Sequence, residues 1–461
     1  MIELPNLKDT IIALSTPPGI GALGVIRLSG INAVTVANKI FKGKNLESVP
    51  SHSIHYGTIR KEKTIIDEVL ISVFRAPKSF TKEDVIEISC HGSSYIIKEI
   101  LDLCVSKGAR LATPGEFSMR AFINGQMDLS RAEAIADLIA SNSEAAHKLA
   151  MRQMRGGISK QIQQMRTELI DFASLMELEL DFSEEDVEFA NRDQLRILIL
   201  KIKDHIESLI QSFKLGNAIK NGIPTVIAGR PNAGKSTILN AMLNEERAIV
   251  SDIAGTTRDT IEEILNIKGI EFRLIDTAGI REAQDKIETI GVQKTMEKIA
   301  SSNILIYVFD IIETSIAEVQ EDIAALSKGD HLIIVANKMD LNPYTKPEDY
   351  YNEQINASNF ITASALNKMN IDYLKDLLFE KAIGKDIVIS NVTVSNSRHL
   401  EVFEKTHKSL EEVVEALDSG ITSDLVAMNI RNALHHLGSI TGEISTDDLL
   451  GNIFGKFCIG K

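Results

Sequence analysis

A glycine-rich run of eight residues constrains the fold of this chain more than any other feature of its sequence. It reads Gly229-Arg-Pro-Asn-Ala-Gly-Lys-Ser236 and matches the pattern G-x-x-x-x-G-K-[ST] of a phosphate-binding loop. The strand-like Thr225–Ala228 precedes it and the helical Thr237–Leu243 follows it, which is the setting that such a loop requires. Its glycines let backbone N–H groups approach phosphates, and the helix N-terminus adds partial positive charge. Lys235 is expected to reach the β- and γ-phosphates, and Ser236 is expected to bind Mg²⁺.

Two further motifs are suited to the metal side of a nucleotide site. Asp276-Thr-Ala-Gly279 follows a strand-like run, so Asp276 could hold the metal and the Gly279 N–H could contact a γ-phosphate. Gly255-Thr-Thr-Arg-Asp259 lies between this motif and the phosphate loop, and Thr257 is the candidate for a second magnesium ligand. A turn with helix-capping threonines is the alternative interpretation of that segment.

Another pair of motifs indicates which base is bound. Asn337-Lys-Met-Asp340 follows a strand-like run, and the Asp340 carboxylate can accept hydrogen bonds from both N1 and N2 of guanine. Adenine offers no such pair of donors and would leave the carboxylate unpaired. Ser364-Ala-Leu366 is similar to the short loop that supports the guanine O6. These motifs, in this order, predict that residues 222–384 bind and hydrolyse GTP. The GTP contacts expected from these motifs are Asn232, Ala233, Gly234, Lys235, Ser236, Thr237, Gly255, Thr256, Thr257, Asp276, Thr277, Ala278, Gly279, Asn337, Lys338, Asp340, Ser364 and Ala365.

The residue after Asp276–Gly279 poses a catalytic problem. Small GTPases commonly orient the attacking water with a glutamine there, whereas this chain has Ile280, which can neither donate nor accept. Asn232 in the phosphate loop could hold a K⁺ ion that replaces an arginine finger, a term of roughly 10³–10⁵ in rate. Glu288 is the candidate to orient water, and an exposed helix acid is its alternative interpretation. Asn232 and Lys235 are therefore the expected catalytic residues, and from the residues alone the exposed-acid interpretation of Glu288 is favoured.

Strand-like runs occur in two parts of the chain and predict a different kind of sheet in each. Residues 222–384 alternate helices with mostly continuous apolar strands, which predicts an α/β domain around a parallel sheet. Residues 1–118 carry short β-rich runs and a helix at Ser94–Ser106, which predicts an α+β domain. The strand candidates are Ile11–Leu14, Gly24–Leu28, Glu68–Phe74, Val85–Ser89, Thr225–Ala228, Glu271–Ile275, Ile304–Asp310, His331–Ala336 and Asn359–Thr362.

The rest of the chain is helical in pattern. Apolar residues recur at spacings of three and four from Ser130 to Lys214, and a helical pattern returns from about Ser395 to Phe457. The simplest arrangement inserts the 222–384 domain between two halves, 119–221 and 385–461, of one helical domain. Near the C-terminus, Ser445 and Asp448 form a capping-box-like helix start. The apolar stripe behind it is Leu449, Leu450, Ile453, Phe454 and Phe457.

Charge and cysteine content limit the remaining possibilities. The formal net charge is −14, so the overall field does not attract nucleic acid. An RNA contact would need a local patch, and Arg152, Arg155, Lys160 and Arg166 form either such a patch or a solvated helix face. The three cysteines have unrelated spacings, which favours a reducing, cytoplasmic setting. No apolar run reaches 18 residues, and we expect neither a membrane span nor a secretory signal.

Taken together, the motifs resemble those of the MnmE (TrmE) family of tRNA-modification GTPases over the whole chain. The resemblance is carried by Gly229–Ser236, Gly255–Asp259, Asp276-Thr-Ala-Gly-Ile-Arg-Glu282 and the terminal Phe457-Cys-Ile-Gly-Lys461. At the N-terminal end the similar segments are Thr16-Pro-Pro-Gly-Ile-Gly21, Arg27-Leu-Ser-Gly30, Thr113-Pro-Gly-Glu-Phe-Ser118 and Asp128–Ile135. It implies a multidomain α+β and α/β fold: an N-terminal folate-binding, dimerising domain, an all-α domain and an inserted, Ras-like P-loop GTPase domain.

The resemblance also implies a chemistry. The family is potassium-dependent and acts as a homodimer with the FAD-dependent MnmG (GidA). Together they place an aminomethyl or carboxymethylaminomethyl group on carbon 5 of the wobble uridine of tRNA, with a tetrahydrofolate such as 5-formyltetrahydrofolate as one-carbon donor. By the family pattern, K⁺ is held by Asn232, Ser251, Ile253 and Thr256, and Mg²⁺ by Ser236 and Thr257. The same pattern adds Ser251, Asp252, Ile253 and Ala254 to the expected GTP contacts. It also places the family's switch glutamate at Glu288, which makes Glu288 an expected catalytic residue. The matching folate positions are Arg27, Glu87, Gln126 and Lys461, although the family often has a basic residue where this chain has Gln126.

Alternatives stay open at this point. Cys458 could be a catalytic thiol or a small buried hydrophobic residue. A ribosome-assembly GTPase is the second functional interpretation, but such factors usually carry a basic RNA-binding module and these flanking regions are acidic. A membrane-remodelling GTPase would need a basic amphipathic anchor, which the pattern does not contain.

Overall fold

The computed structural model describes residues 8–181, 192–243, 262–276, 303–326, 331–384, 393–419 and 423–460. These form two compact units, the first made of Met1–Ile139, Gln153–Ile202 and Lys405–Lys461 and the second of Ala140–Arg152 and Lys203–Glu404. The predicted insertion of residues 222–384 into a helical domain stays a prediction. Within the described part, no helix combines the length and apolarity needed to cross a membrane.

A seven-stranded sheet forms the centre of the first unit. Its order is β3-β4-β5-β6-β2-β1-β7, and every neighbouring pair is antiparallel except β1 with β7. Helices α1 (Ala33–Ile40) and α2 (Ser94–Ser106) contribute buried side chains to the core that covers one face. The strands are β1 (Thr10–Leu14), β2 (Leu23–Ser29), β3 (Phe41–Lys42), β4 (Ser53–Lys61), β5 (Thr64–Phe74), β6 (Val85–His91) and β7 (Ala109–Leu111).

Long helices follow the sheet, and their apolar stripes are buried as the spacing predicts. On α6 (Gly157–Asp181), Ile158 and Ile162 are buried, whereas Phe172 is half-buried. Arg166 is not part of an exposed basic face, because its guanidinium donates to the Leu434 carbonyl and to Glu443. The other helices are α3 (Glu116–Ile123), α4 (Leu129–Ala140), α5 (Glu144–Met154), α7 (Arg192–Asn221), α11 (Ser397–Asp418), α12 (Ser423–Thr441) and α13 (Asp447–Phe454), of which α4, α5, α7 and α11 have residues in both units.

The second unit is built on a six-stranded sheet of order β13-β12-β11-β8-β10-β9. The five strands from β13 to β10 are parallel, as their continuous apolar runs predict, and β9 is antiparallel to β10. Two apolar cores cover the two faces of the sheet. The elements are β8 (Ile223–Ala228), α8 (Lys235–Leu243), β9 (Glu262–Ile267), β10 (Ile270–Asp276), β11 (Ile304–Asp310), α9 (Ile316–Leu326), β12 (Leu332–Asn337), β13 (Phe360–Thr362) and α10 (Ile371–Ile383), with a 3₁₀ turn at Pro347–Tyr350.

Candidate functional sites

The backbone of the loop between β8 and α8 requires glycine at two positions. Gly229 has a φ of 148°, and a Cβ there would lie 1.9 Å from the Val308 carbonyl oxygen of β11. Gly234 has a φ of 88°, and a Cβ there would lie 2.2 Å from Nδ2 of Asn337. Any larger residue would clash at both positions, so these glycines fix the path of the loop across the end of the sheet.

Lys235 is folded into this loop. Its ammonium group donates to the carbonyl oxygens of Gly229 at 3.0 Å and of Arg230 at 2.9 Å. Helix α8 begins at Lys235, and Ser236 and Thr237 are exposed in its first turn. A lysine, a hydroxyl and a helix N-terminus at one point form an arrangement suited to phosphate and to a phosphate-bound Mg²⁺ ion.

Asn337 joins three of the predicted motifs. Its buried Nδ2 donates to the Ala233 carbonyl of the phosphate loop at 2.9 Å. Its Oδ1 accepts the Ala365 N–H at 3.1 Å, which ties in the loop that begins at Ser364. Asp340 lies half-buried three residues further on. The predicted phosphate and base segments are therefore brought together by one amide side chain.

Sequence reasoning missed the residue that holds Lys338. The Lys338 ammonium pairs with Asp310 at 2.5 Å, and Asp310 is the buried last residue of β11. Burial raises the pKa of Asp310, but the hydrogen bond and charge of Lys338 together with the backbone hydrogen bonds from Ile312 and Glu313 outweigh it, and the net shift is downward. The signal available in the sequence is an acidic residue ending the strand that precedes β12. Because β11 and β12 are paired with Asp310 opposite Asn337, that position adjoins the base motif.

Part of the predicted site lies outside the described residues. Asp276 ends β10, paired with Ile227 of β8, so its backbone lies one strand away from the start of the phosphate loop. Its side chain is not among those described. The other predicted residues outside the description are Ser251, Asp252, Ile253, Ala254, Gly255, Thr256, Thr257, Thr277, Ala278, Gly279, Glu288 and Lys461.

A second cluster lies in the first unit, where Arg27 of β2 faces Glu87 of β6. The guanidinium donates twice to Oε1 of Glu87, at 2.9 and 2.8 Å, so these bonds leave Oε2 for another donor. The rings of Phe80 and Phe117 lie with their centres 5.4 and 5.9 Å from the guanidinium carbon. Two opposite charges beside aromatic rings suit a flat heterocycle that carries both N–H donors and an acidic group.

The C-terminal tail reaches this Arg27 cluster. The carbonyl oxygen of Gly460 accepts from the Ser15 hydroxyl at 3.1 Å and from Arg27 at 3.5 Å. A Cβ at Gly460 would lie 2.3 Å from the Leu14 carbonyl oxygen, so only glycine allows this approach. Two of the four predicted folate positions, Arg27 and Glu87, therefore lie beside Gly460, the residue that precedes Lys461.

Helix α13 carries the tail to this position. Phe454 and Leu450 are buried against Met119 and Leu129. The Cys458 carbonyl accepts the Gly115 N–H at 3.4 Å, and Cys458 itself is exposed, which excludes the interpretation of Cys458 as a buried hydrophobic residue.

One sequence expectation about this region is corrected, and the folate contact of Gln126 stays a prediction. The cap of α13 is Thr446, whose hydroxyl accepts the Leu449 N–H at 3.3 Å, and not Ser445 as the capping-box pattern predicts. A threonine cap three residues before Leu449 satisfies the same geometry one position later. Gln126 is exposed, and its backbone N–H donates to the Ala121 carbonyl at 2.8 Å. Within the described residues its side chain has no hydrogen bond to Arg27 or Glu87.

Comparison with known proteins agrees with this arrangement. Residues 10–126 match the family model "GTP-binding protein TrmE N-terminus", and residues 129–458 match "MnmE helical domain". The tRNA modification GTPase MnmE of Cytophaga hutchinsonii is 55% identical over 99% of this chain and 98% of its own length. The proteins of the same name from Christiangramia forsetii and Bacteroides thetaiotaomicron are 49% and 46% identical, over 99% and 98% of this chain and 100% of their own lengths. The chain therefore belongs to the MnmE (TrmE) family of tRNA modification GTPases and is a GTP hydrolase.

Proposed function

We propose that this chain hydrolyses GTP with Mg²⁺ and K⁺ and uses that reaction to modify tRNA in the cytoplasm. Together with the FAD-dependent MnmG (GidA), it adds an aminomethyl or carboxymethylaminomethyl group to carbon 5 of the wobble uridine, and a tetrahydrofolate supplies the carbon. The observation that carries the proposal is the Arg27–Glu87 cluster with the Gly460 carbonyl against it. A GTP-driven switch alone would not need this second cluster, whereas a one-carbon transfer needs a site for its donor.

The phosphate loop supports the metal assignments. Ser236 is exposed in the first turn of α8, where its hydroxyl can reach a Mg²⁺ ion beside the phosphates. Asn232 has a φ of 61° and is exposed, so its amide oxygen is available to a monovalent cation at the mouth of the loop. Such a cation would add positive charge where charge develops on the phosphates, a role that Ile280 cannot fill.

The Arg27 cluster supports the folate assignment through its chemistry. The Arg27 guanidinium suits an anionic group, and Oε2 of Glu87 suits the N–H donors of a pterin ring. The side chains of Arg27 and Glu87 keep exposed fractions of 19% and 27%, so a ligand can reach both. Lys461 and Gln126 belong to the proposal only through the family pattern.

An open sheet face supports the homodimer. On the side of the sheet that carries Arg27 and Glu87, register places Tyr56 opposite Leu70, and these side chains are 64% and 47% exposed. Leu23 and Ile54 are each 66% exposed on their strands. Exposed apolar side chains in such a group mark an interaction surface, and a second copy of this chain is the partner that the family implies.

Mass spectrometry of wobble nucleosides tests the proposal. We expect tRNA from a strain that lacks this chain to carry unmodified uridine where the wild type carries the modified nucleoside, and expression of the chain to restore it. A ribosome-assembly GTPase would instead leave the wobble nucleosides unchanged and shift the profile of ribosomal subunits, and that result would overturn the proposal.

A further inference from the structure

The second residue of the phosphate loop, Arg230, is held by two carboxylates. Its Nε and Nη2 donate to the two oxygens of Asp322 at 2.8 and 3.2 Å, and its Nη1 donates to Glu318. Both acids lie on one side of α9, one helical turn apart. All three guanidinium nitrogens are therefore engaged by the protein, and none of these three bonds is directed to a nucleotide.

The two carboxylates are themselves fixed. The Tyr307 hydroxyl of β11 donates to Asp322. Glu318 accepts the N–H of Ser315 at 2.9 Å and its hydroxyl at 2.8 Å. Hydrogen bonds from Ser315, and after them the Arg230 guanidinium, lower the pKa of Glu318 to about 2, so both acids are ionised at neutral pH. Arg230 thus meets a preformed acceptor pair rather than two free side chains.

This anchor acts on the atoms that hold the catalytic lysine. The Arg230 carbonyl oxygen accepts from the Lys235 ammonium at 2.9 Å, and the neighbouring Gly229 carbonyl accepts at 3.0 Å. Gly229 is already pressed against Val308 of β11, one residue from Tyr307. Two successive loop residues are therefore fixed to the β11–α9 segment, one by its backbone and the other by its side chain.

The exposure of the ion pairs indicates what they are for. The side chains of Arg230, Glu318 and Asp322 keep exposed fractions of 37%, 41% and 27%. Exposed ion pairs contribute little to folding stability. A bidentate Arg–carboxylate contact nevertheless fixes the direction of a side chain and of the backbone that carries it.

We propose that Arg230 is a positioning residue for the GTPase reaction: anchored by Asp322 and Glu318, it keeps the Gly229 and Arg230 carbonyls where they hold Lys235 ready for the β- and γ-phosphates. The inference needs only the GTPase activity and does not depend on the folate or tRNA chemistry. The alternative is that the positive charge of Arg230 acts directly on the nucleotide. That role is disfavoured because the two carboxylates bound to the guanidinium already outweigh its single charge.

Nucleotide release separates the two roles. In the full-length protein, the dissociation rate of a fluorescent GDP analogue and the KM and kcat for GTP would be measured for Arg230→Ala, Arg230→Lys, Asp322→Asn and the double variant Arg230→Ala/Asp322→Asn. We expect Arg230→Ala to release GDP about tenfold faster and to raise KM more than it lowers kcat, since preorganisation is lost before chemistry. Arg230→Lys should recover part of the effect, because an ammonium group reaches one carboxylate.

Asp322→Asn carries the decisive result. Positioning predicts faster GDP release in this variant although the arginine is still present, and it predicts that the double variant releases GDP no faster than Arg230→Ala alone. A direct electrostatic role predicts unchanged or slower release when the acid is neutralised, and that outcome would overturn the proposal. If Arg230→Ala does not fold, Asp322→Asn and Tyr307→Phe answer the same question.

Asp376→Asn is the matched control. It breaks the Lys268–Asp376 pair, 2.8 Å long and exposed on both sides, in the same unit but on α10. Its GDP release should equal that of the wild type. Equal acceleration in the control, or a fall in melting temperature that accounts for the Arg230 effect, would assign the cluster a purely structural role and contradict the proposal.

Discussion

The amide of Asn337 shows how much of the nucleotide site depends on single side chains. It bonds the Ala233 carbonyl through Nδ2 and the Ala365 N–H through Oδ1, and it is 3% exposed. Asparagine is suited to this position because it presents a donor and an acceptor side by side. Asp340 follows in a turn that the Leu341 N–H closes by donating to the Lys338 carbonyl at 3.0 Å.

Base selection is tested at Asp340. An amide in place of the carboxylate pairs with the xanthine carbonyl rather than with the guanine N2 donors, so Asp340→Asn should bind GTP at least tenfold more weakly, about 1.4 kcal/mol. Xanthosine triphosphate should then bind better than it does to the wild type. Competition between the two nucleotides for a fluorescent GDP analogue measures both effects. A variant that keeps the wild-type preference for GTP would show that the guanine assignment is wrong.

The cation is tested at Asn232. If K⁺ completes the site, the wild type should hydrolyse GTP much faster in potassium buffer than in matched sodium buffer. Asn232→Ala should lose that difference while GDP affinity stays within about threefold, since the loop glycines and Lys235 remain. Phosphate release in the two buffers is the measurement. Equal wild-type rates in K⁺ and Na⁺ would contradict the potassium assignment.

Among the elements of the first unit, a charged network joins β7 and α3 to Asp9, the residue that precedes β1. Glu116 is fully buried at the start of α3 and accepts from Arg110 at 2.6 Å and from Arg120 at 3.1 Å. Asp9 binds the same two arginines. Removing Glu116 would leave the buried Arg120 with Asp9 and Glu83 as its remaining carboxylates, and the loss of one partner from a buried charged network is costly.

That network predicts a dependence of stability on pH. Burial alone raises the pKa of Glu116, but hydrogen bonds from Arg110 and Thr113 outweigh it and bring it below its usual 4.5. A lowered pKa in the folded protein means that the stabilisation is present above pH 4.5 and is lost as the pH falls below it. Glu116→Gln should reduce stability at pH 7 by about 3 kcal/mol and flatten the decline in stability as the pH falls below 4.5.

Urea unfolding at several pH values measures this. Glu99→Gln is the control, because Glu99 pairs with the exposed Lys61 at 2.8 Å in the same unit. Its effect at pH 7 should stay below about 1 kcal/mol. Equal losses in the two variants would show that burial of the network contributes nothing.

Patterns in the sequence located some elements better than others. The helix Ser94–Ser106 and the strand Ile304–Asp310 have the predicted bounds. The helix repeats its apolar residues at helical spacing, and the strand is one continuous apolar run. Strand β4 was missed because its large apolar residues Ile54 and Tyr56 lie on the exposed face, while Gly57 and Ile59 are buried. Strand β9 was missed because it is an edge strand that starts with two acidic residues, and its pairing depends on β10.

The site divides in the same way. Motifs with fixed spacing, such as Gly229–Ser236 and Asn337–Asp340, could be read from the sequence because their chemistry is local. The Lys338–Asp310 and Arg230–Asp322 pairs join residues 28 and 92 positions apart, and no local pattern indicates which acid meets which base. The approach of the C-terminal tail to Arg27, 433 residues away in sequence, was expected from the family resemblance rather than from periodicity.

At the scale of the whole molecule, one chain carries a GTPase site in one compact unit and the Arg27 cluster with its tail in the other. The tail contributes the Gly460 carbonyl to Ser15 and Arg27 and the Cys458 carbonyl to Gly115. Deleting residues 458–461 removes these contacts but no residue of α13 or of the phosphate loop. GTP hydrolysis and one-carbon transfer should therefore be separable by this truncation.

Complementation measures that separation most directly. A strain that lacks this chain would receive the wild type, the chain truncated after Phe457, or Lys235→Ala, and its wobble nucleosides would be quantified by mass spectrometry. We predict that the purified truncated protein hydrolyses GTP at the wild-type rate, yet neither it nor Lys235→Ala restores the modified uridine. Full modification by the truncated chain would contradict the account, because the tail would then have no part in the chemistry.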